Sequence, residues 1–343
     1  MKQVRLKRIF VIAGALLVMP VCVAQAAIDL DPAARVKLFG DFRLRGEYDD
    51  RTKQDGTQQS RNRLRYRVRL GIAYQVNERW SAKARMATNI SSINSPHVTF
   101  GDDPDVGFDQ AYLAYQFKKI TASAGKLPLN YWNSSEMVWD KDFNPDALSY
   151  VQQFNHIQLN AAHIILQDNS WNGTDDKIEM LQAVYAKGDV LGALGYFNVN
   201  DGSAAKNIFT LSAQYKPPGW RGVLEVSSSD AKQESLACAL QLRKKLGEMG
   251  FRVYYFYVGA QSIPGDGRYG QDDFPDQNGA GLSNFKGVRL QYDQKLDKNA
   301  NLDVRLYSMR AIDDSFSAQA GSGSPFFSDK ERLRLQMNLN LKF

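Results

Sequence analysis

Arginine stands at every second position from Arg61 to Arg69, and Leu64, Tyr66, Val68 and Leu70 fill positions between. A row of fixed cations beside low-dielectric walls can focus a field and steer charged solutes. The spacing says what carries the row. Successive side chains of a β-strand point to opposite faces, so Arg61, Arg63, Arg65, Arg67 and Arg69 share one face and the apolar residues the other. An arginine turned toward lipid costs about 2 to 4 kcal/mol near the midplane, and five would cost roughly 10 to 20. The guanidiniums must therefore meet water. If their apolar partners meet lipid, the strand belongs to a membrane barrel with a wet, basic interior.

The same alternation recurs. Val36, Leu38, Phe42, Leu44 and Tyr48 alternate with Lys37, Asp41, Arg43, Arg45 and Glu47, and Trp80, Ala82, Ala84 and Met86 alternate with Ser81, Lys83 and Arg85. Similar rows run through Phe209–Tyr215, Leu236–Leu242, Val288–Tyr292 and Leu302–Leu306. Each is about 10 residues long, enough for a tilted membrane-spanning strand. Short connections fall near Asn77, Lys118, Asn155, Gly188, Pro217, Gly247 and Asn299, and polar loops alternate with them, notably at 49–60, 91–106, 131–146, 261–283 and 312–330. Seven turns and eight loops imply an all-β, antiparallel transmembrane barrel of about 16 strands, with 14 or 18 as alternatives. The turns face the periplasm and the loops the exterior. The strands around 148–154 and 190–199 are the hardest to orient, because both of their faces read apolar.

Residues 1–26 read as a cleaved signal peptide: Lys2, Arg5, Lys7 and Arg8, then the apolar run Ile9–Met19, then Ala24-Gln25-Ala26. The barrel is expected over 27–343. The precursor has 43 basic and 37 acidic residues; without the four leader cations the balance is 39 to 37, so net basicity gives no support to nucleic-acid binding. Only Cys238 would remain in the mature chain, and His97, His156 and His163 are the only histidines. Neither a disulfide framework nor a His/Cys metal centre is expected, and no cofactor. Gly265, Gly267 and Gly270 match a dinucleotide fingerprint in letters only, since no βαβ unit surrounds them. Asp102, Asp103 and Asp105, and Asp272, Asp273 and Asp276, lack the spacing of a calcium loop and read as solvated acids.

The last strand alternates Leu333, Leu335, Met337, Leu339, Leu341 and Phe343 with Arg332, Arg334, Gln336, Asn338, Asn340 and Lys342. An amphipathic strand ending on Phe343 resembles the signal read by the outer-membrane barrel-assembly machinery. Together with Gly40-Asp41-Phe42-Arg43-Leu44-Arg45, Arg61-Asn62-Arg63-Leu64-Arg65, Phe108-Asp109-Gln110-Ala111-Tyr112, Gly125-Lys126 and Trp139-Asp140, it makes the mature chain resemble Gram-negative outer-membrane porins, most of all the "putative porin" family. The resemblance implies passive diffusion of small hydrophilic solutes and ions through a trimeric or monomeric pore, surrounded by outer-membrane lipid and lipopolysaccharide. It also implies a cationic wall facing an acidic, inward-folded third loop, with a transverse field between them.

Closing the barrel puts four neighbouring inner faces into one wall. Its basic members are Lys37, Arg43, Arg45, Arg61, Arg63, Arg65, Arg67, Arg69, Lys83, Arg85, Arg332, Arg334 and Lys342, against Asp41 and Glu47. The loop at 131–146 carries Glu136, Asp140, Asp142 and Asp146 against Lys141. The expected constriction combines Arg63, Arg65, Arg67, Lys83 and Lys126 with Asp140 and Asp142, and the wider pore lining adds Glu136 and the remaining wall arginines. For any single arginine, cross-strand pairing that merely stabilises the sheet is an equal alternative. Trp132, Trp139 and Phe143 either stack on sugars or pack the loop, with packing ahead. Trp80, Trp220, Tyr74, Tyr215, Tyr292 and Phe343 suit an interfacial girdle. The competing readings are a channel for acidic sugars or polysaccharide, an outer-membrane enzyme and a plugged structural barrel. No nucleophile–base motif favours the enzyme.

Overall fold

The computed structural model describes residues 28–29, 35–90, 96–140, 142–168, 175–200, 205–264, 283–319 and 326–343. The expected leader, Lys141, Gly265–Gly270 and the aspartates 272, 273 and 276 lie outside the described residues.

Sixteen antiparallel strands form a closed barrel: β1 (Val36–Thr52), β2 (Gln58–Gln75), β3 (Trp80–Thr88), β4 (Val106–Phe117), β5 (Ile120–Lys126), β6 (Asp146–Gln153), β7 (Ile157–Gln167), β8 (Asp176–Lys187), β9 (Val190–Asn200), β10 (Lys206–Tyr215), β11 (Trp220–Ser229), β12 (Leu236–Leu246), β13 (Met249–Val258), β14 (Phe285–Asp297), β15 (Ala300–Ala311) and β16 (Glu331–Lys342). Each pairs with its neighbours in sequence, and β16 pairs with β1. Two two-residue strands, Ile28–Asp29 and Val98–Thr99, add to β1 and β2, and a short helix, α1 (Asp314–Ala318), lies in the last loop. Closure leaves no edge strand, as a lipid environment requires. The 16-strand expectation is met, including strands at β6 and β9.

The side chains sort as the period demands. Leu64, Val68, Leu70, Ile72 and Tyr74 are exposed on the outer face of β2, while Arg65 and Arg67 between them are buried on the inner face. Tyr74, Trp80, Tyr215 and Trp220 lie exposed near the turns, where the girdle is expected.

The first loop differs from expectation. Alternation continues past Tyr48, so β1 reaches Thr52, β2 begins at Gln58 and only residues 53–57 connect them. These strands of 17 and 18 residues outrun β3, which has 9, and loop 2 returns to cover part of the excess by pairing Val98 and Thr99 with Tyr66 and Arg65.

At the seam, Gly40 N–H donates to Phe343 O at 2.9 Å, and Phe343 N–H donates to Gly40 O at 3.1 Å. The Phe343 ring lies over Gly40: a Cβ there would sit 2.4 Å from the ring Cζ. A ring over a glycine restores packing that the missing side chain cannot supply. Gly40→Leu should displace the ring and destabilise the barrel by about 1 to 3 kcal/mol. Urea titration followed by the heat-modifiable gel shift should show an earlier midpoint; an unchanged midpoint would contradict this packing.

Candidate functional site

The wall begins with an electrostatic conflict. The β1–β2 register sets Arg43 opposite Arg67 and Arg45 opposite Arg65, and directly opposed like charges destabilise a sheet. The structure relieves this by diagonal and third-strand partners. Asp41 accepts from Arg67 Nη2 and from Arg69 Nε, each at 2.7 Å. Glu47 accepts from Arg63 Nε at 2.9 Å and from Arg334 Nη2 at 2.5 Å, and lies 3.9 Å from Arg65. From β16, Asn340 and Asn338 accept from Arg43 Nε and Arg45 Nε, each at 2.6 Å. Asp49 accepts from Arg332 Nε at 2.6 Å and pairs with Arg61 at 3.3 Å. Asp49 is thus a third wall acid, placed by the extension of β1 and hidden by the longer first loop expected from sequence.

A fourth comes from a bulge. The register against β3 slips between Arg85 and Met86, so Arg85 faces Gln110 and Met86 faces Phe108. Asp109 is the extra residue, and both it and Gln110 turn inward. Asp109 accepts from Arg85 Nε and Nη2, at 2.9 and 2.6 Å, and Gln110 donates to Asn144 at 2.8 Å. Period-two reading cannot find this pair, because a bulge breaks the period locally.

The third loop, described at residues 127–140 and 142–145, folds into the barrel and is tied to both walls. On the ladder side Asp142 accepts from Arg67 Nη1 at 2.5 Å and from Arg69. Across the lumen, Trp132 N–H donates to Gln182 Oε1 at 2.8 Å, and Gln182 Nε2 donates back to Trp132 O at 3.1 Å. The Tyr131 hydroxyl meets Thr210 Oγ1 at 2.9 Å, and the Ser134 and Ser135 N–H groups donate to Glu225 at 2.7 and 3.1 Å. Gly195 gives Tyr131 room; a Cβ there would lie 3.4 Å from the tyrosine ring. Glu136 pairs at 3.3 Å with Arg289, whose guanidinium stacks 3.7 Å from the Tyr254 ring centroid.

Above this polar belt, toward the loop end, the inner face of the far wall is apolar. Met137, Val138 and Trp139 pack with Ile164, Ile178, Met180, Phe197, Val199, Ile208 and Phe256. That packing explains why β9 reads apolar on both faces: its outer side chains are exposed, and Phe197 and Val199 on the inner face meet the loop. Trp139 is 3 % exposed, its ring 5.1 Å from Phe197 and 5.2 Å from Phe143, so it packs the loop and offers no sugar platform.

The expected site residues therefore divide. Arg43, Arg45, Arg61, Arg63, Arg65, Arg67, Arg69, Arg332 and Arg334 form one wall, with Asp142 docked on it rather than facing it across water. Arg85 is held by Asp109, and Lys83 lies toward the turns, its ammonium 4.5 Å over the Phe39 ring. Glu136 faces the opposite wall through Arg289, and Asp140 shapes the loop by accepting Asp142 N–H at 2.9 Å. Lys126 ends β5 at 4.0 Å from the exposed Asp146 and does not join the ladder. Sequence reading missed Asp49, Asp109, Asn338, Asn340, Gln182, Glu225 and Arg289.

Burial alone would raise the proton affinity of Asp142, but Arg67, Arg69 and Arg43 outweigh it and hold the carboxyl well below its ordinary range. In loop 2, burial and then the charges of Arg45 and Arg67 push the His97 imidazole well below its usual value, so it is neutral at pH 7. Its backbone carbonyl accepts from Arg65 Nη2 at 2.9 Å.

Residues 51–215 match the family described as "putative porin". Among curated proteins none matches the sequence. Solved structures with the same fold include two engineered variants of the Rhodopseudomonas blastica porin, one at TM-score 0.60 and 10% identity and one at 0.61 and 11%, each covering 90% of this chain and 100% of its own. A structure titled "Asymmetric conductivity of engineered proteins" aligns equally well, at TM-score 0.60 and 10% identity, with the same coverage. The fold is thus that of a 16-strand porin, reached at an identity where sequence alone shows little.

Burying Met137 and Val138 is worth about 1.5 to 3 kcal/mol each and Trp139 about 3 to 5 kcal/mol more, together above the roughly 3 to 5 kcal/mol at stake in breaking a buried ion pair. Losing the ion pair should therefore leave the loop in place. Asp142→Asn should shift the reversal potential in a salt gradient toward anions with little change in conductance. Trp139→Ala, at about 3 to 5 kcal/mol, should loosen the loop and raise conductance. The reverse pattern would contradict the double clamp.

The depressed proton affinity of Asp142 also sets a pH window. Its tether is fully present above about pH 4, the ordinary unfolded carboxylate value, and is lost only as pH falls through a lower one. Single-channel current should stay steady between about pH 7 and about pH 4.5; a step in that window that Asp142→Asn abolishes would overturn this assignment.

Proposed function

We propose that the protein is an outer-membrane porin: a water-filled channel for passive diffusion of small hydrophilic solutes and ions. Its selectivity is set where the third loop meets the arginine wall. The observation that carries this reading is loop 127–145 itself, tied to Arg67 and Arg69 on one side and to Glu225 and Arg289 on the other. A loop held across a 16-strand barrel narrows an aqueous lumen without needing to seal it. Family match, fold and wall chemistry together favour a channel over an enzyme.

The wall's charge balance refines the selectivity. Asp41, Glu47, Asp49, Asp109 and Asp142 each hold at least one wall arginine within 3.3 Å. Such a wall orders solutes by local dipoles more than by net positive charge. That favours modest ion selectivity over a bare track for acidic polysaccharide. By this reading the barrel sits among outer-membrane lipid and lipopolysaccharide. The assembly machinery inserts it through the strand ending at Phe343, and it works as a homotrimer or a monomer.

Purified protein added to a planar bilayer should give stepwise, ohmic conductance with a small reversal potential in a potassium chloride gradient. A barrel that inserts but passes no current would overturn the pore reading in favour of a plugged structural barrel.

A further inference from the structure

Three arginines stand in register on the inner faces of adjacent strands, near their turns: Arg221 of β11 lies opposite Arg243 of β12, and Arg243 opposite Arg252 of β13. Directly opposed like charges destabilise a sheet, with Cβ atoms about 5 Å apart. In the ladder such oppositions are answered by Asp41, Glu47, Asn338 and Asn340. Here the answer is incomplete. Arg252 pairs with Asp293 at 2.9 Å, and the Arg221 side chain donates from Nη2 to the neutral Gln241 Oε1 at 3.2 Å. Among the described residues the Arg243 side chain makes neither a hydrogen bond nor an ion pair.

The acids nearby are already engaged. Glu225 accepts from the Ser134 and Ser135 N–H groups of the third loop, and Asp303 accepts from Arg305 Nε at 2.6 Å and Asn338 Nδ2 at 2.9 Å. Asp293 accepts from Gln291 Nε2 at 2.9 Å besides pairing with Arg252. A Cβ on Gly250 would meet Arg243 Nη2 at 3.5 Å and Asp293 Oδ2 at 3.4 Å, so the Arg243 guanidinium lies over the glycine, beside the Arg252 ion pair but outside it. Neutral groups hold the row in place. Gln241 Nε2 donates to the Tyr254 hydroxyl at 2.7 Å, that hydroxyl also accepts from Arg252, and Ser134 Oγ donates to Gln241 Oε1 at 3.2 Å. The loop tip therefore rests on the same glutamine that orients Arg221. All three arginines are half-buried, with their charges left largely intact.

We propose that Arg221, Arg243 and Arg252 form a binding station for phosphoryl anions at the turn-side foot of the third loop. A guanidinium offers phosphate paired N–H donors, and a tetrahedral dianion carries enough charge and acceptor oxygens to bridge neighbours about 5 Å apart. A monocarboxylate, with one charge and two oxygens, satisfies one guanidinium and leaves the next opposed. The proposal rests on the pore reading and adds a saturable stop for phosphate or its esters to it.

The test is block of potassium chloride current in a planar bilayer at about pH 8, where phosphoryl groups are dianions, by inorganic phosphate and by glycerol 2-phosphate, with acetate at equal ionic strength as comparison. Phosphate should reduce the current in a saturable way and acetate should not. Arg243→Gln should weaken the phosphate block roughly tenfold or more, and Arg243→Lys should restore part of it, because the charge returns without the fork. Phosphate should also delay the heat-modifiable gel shift of the wild type and leave that of Arg243→Gln where it was. Arg221→Gln should weaken the block as well and serves if Arg243→Gln fails to insert. Block by both phosphate and glycerol 2-phosphate supports a station for the phosphoryl group; block by inorganic phosphate alone overturns its extension to esters. Equal block by phosphate and acetate, or equal phosphate block in wild type and Arg243→Gln, would overturn the station and leave the pore standing. Absence of any current in the wild type would instead strike the pore reading itself.

Discussion

Two guanidiniums and one loop carboxylate, Arg67 and Arg69 with Asp142, connect the barrel wall to the segment inside it. The contact depends on the two-residue period of β2. Because lipid refuses guanidinium, the whole row is driven inward, and because the row is inward its charges must be answered from inside. β1 answers with Asp41, Glu47 and Asp49, β16 with Asn338 and Asn340, and the loop with Asp142. Wall and loop are thereby parts of one charge balance, which the loop carboxylate completes.

The far wall holds the loop by different means. There, Gln182, Thr210 and Glu225 satisfy loop groups by hydrogen bonds, and a band of apolar inner faces buries Met137, Val138 and Trp139. Arg289, stacked on Tyr254, supplies an ionic contact with Glu136 on that side. The lumen is consequently asymmetric: ionic along β16, β1 and β2, packed along β6 to β13.

The sequence made the barrel legible because strand period, turn chemistry and the terminal strand agree with one another. Arg61 to Arg69 declared their face through spacing alone, and seven turns plus eight loops yielded the strand number. What stayed hidden required registers. Asp109 is inward only because a bulge breaks the period, Asp49 only because β1 runs seven strand positions beyond Arg45, and Lys126 leaves the ladder because its partner is the exposed Asp146. The docking of Asp142 onto arginines, instead of opposite them, is a tertiary fact no alternation encodes. The double apolar face of β9 was visible in the sequence as an anomaly; the buried loop supplies its cause.

The most direct test of the central claim, that residues 127–145 bridge the lumen in the working channel, is a cross-link recorded during conduction. With Cys238→Ala as background, Gln110→Cys and Asn144→Cys replace side chains that hydrogen-bond at 2.8 Å. A short thiol cross-linker applied to the inserted barrel should join them, seen as altered gel mobility, while the single-channel current stays as it was. Failure to cross-link, or a large current that collapses when the link forms, would show that the loop lies elsewhere while the pore conducts.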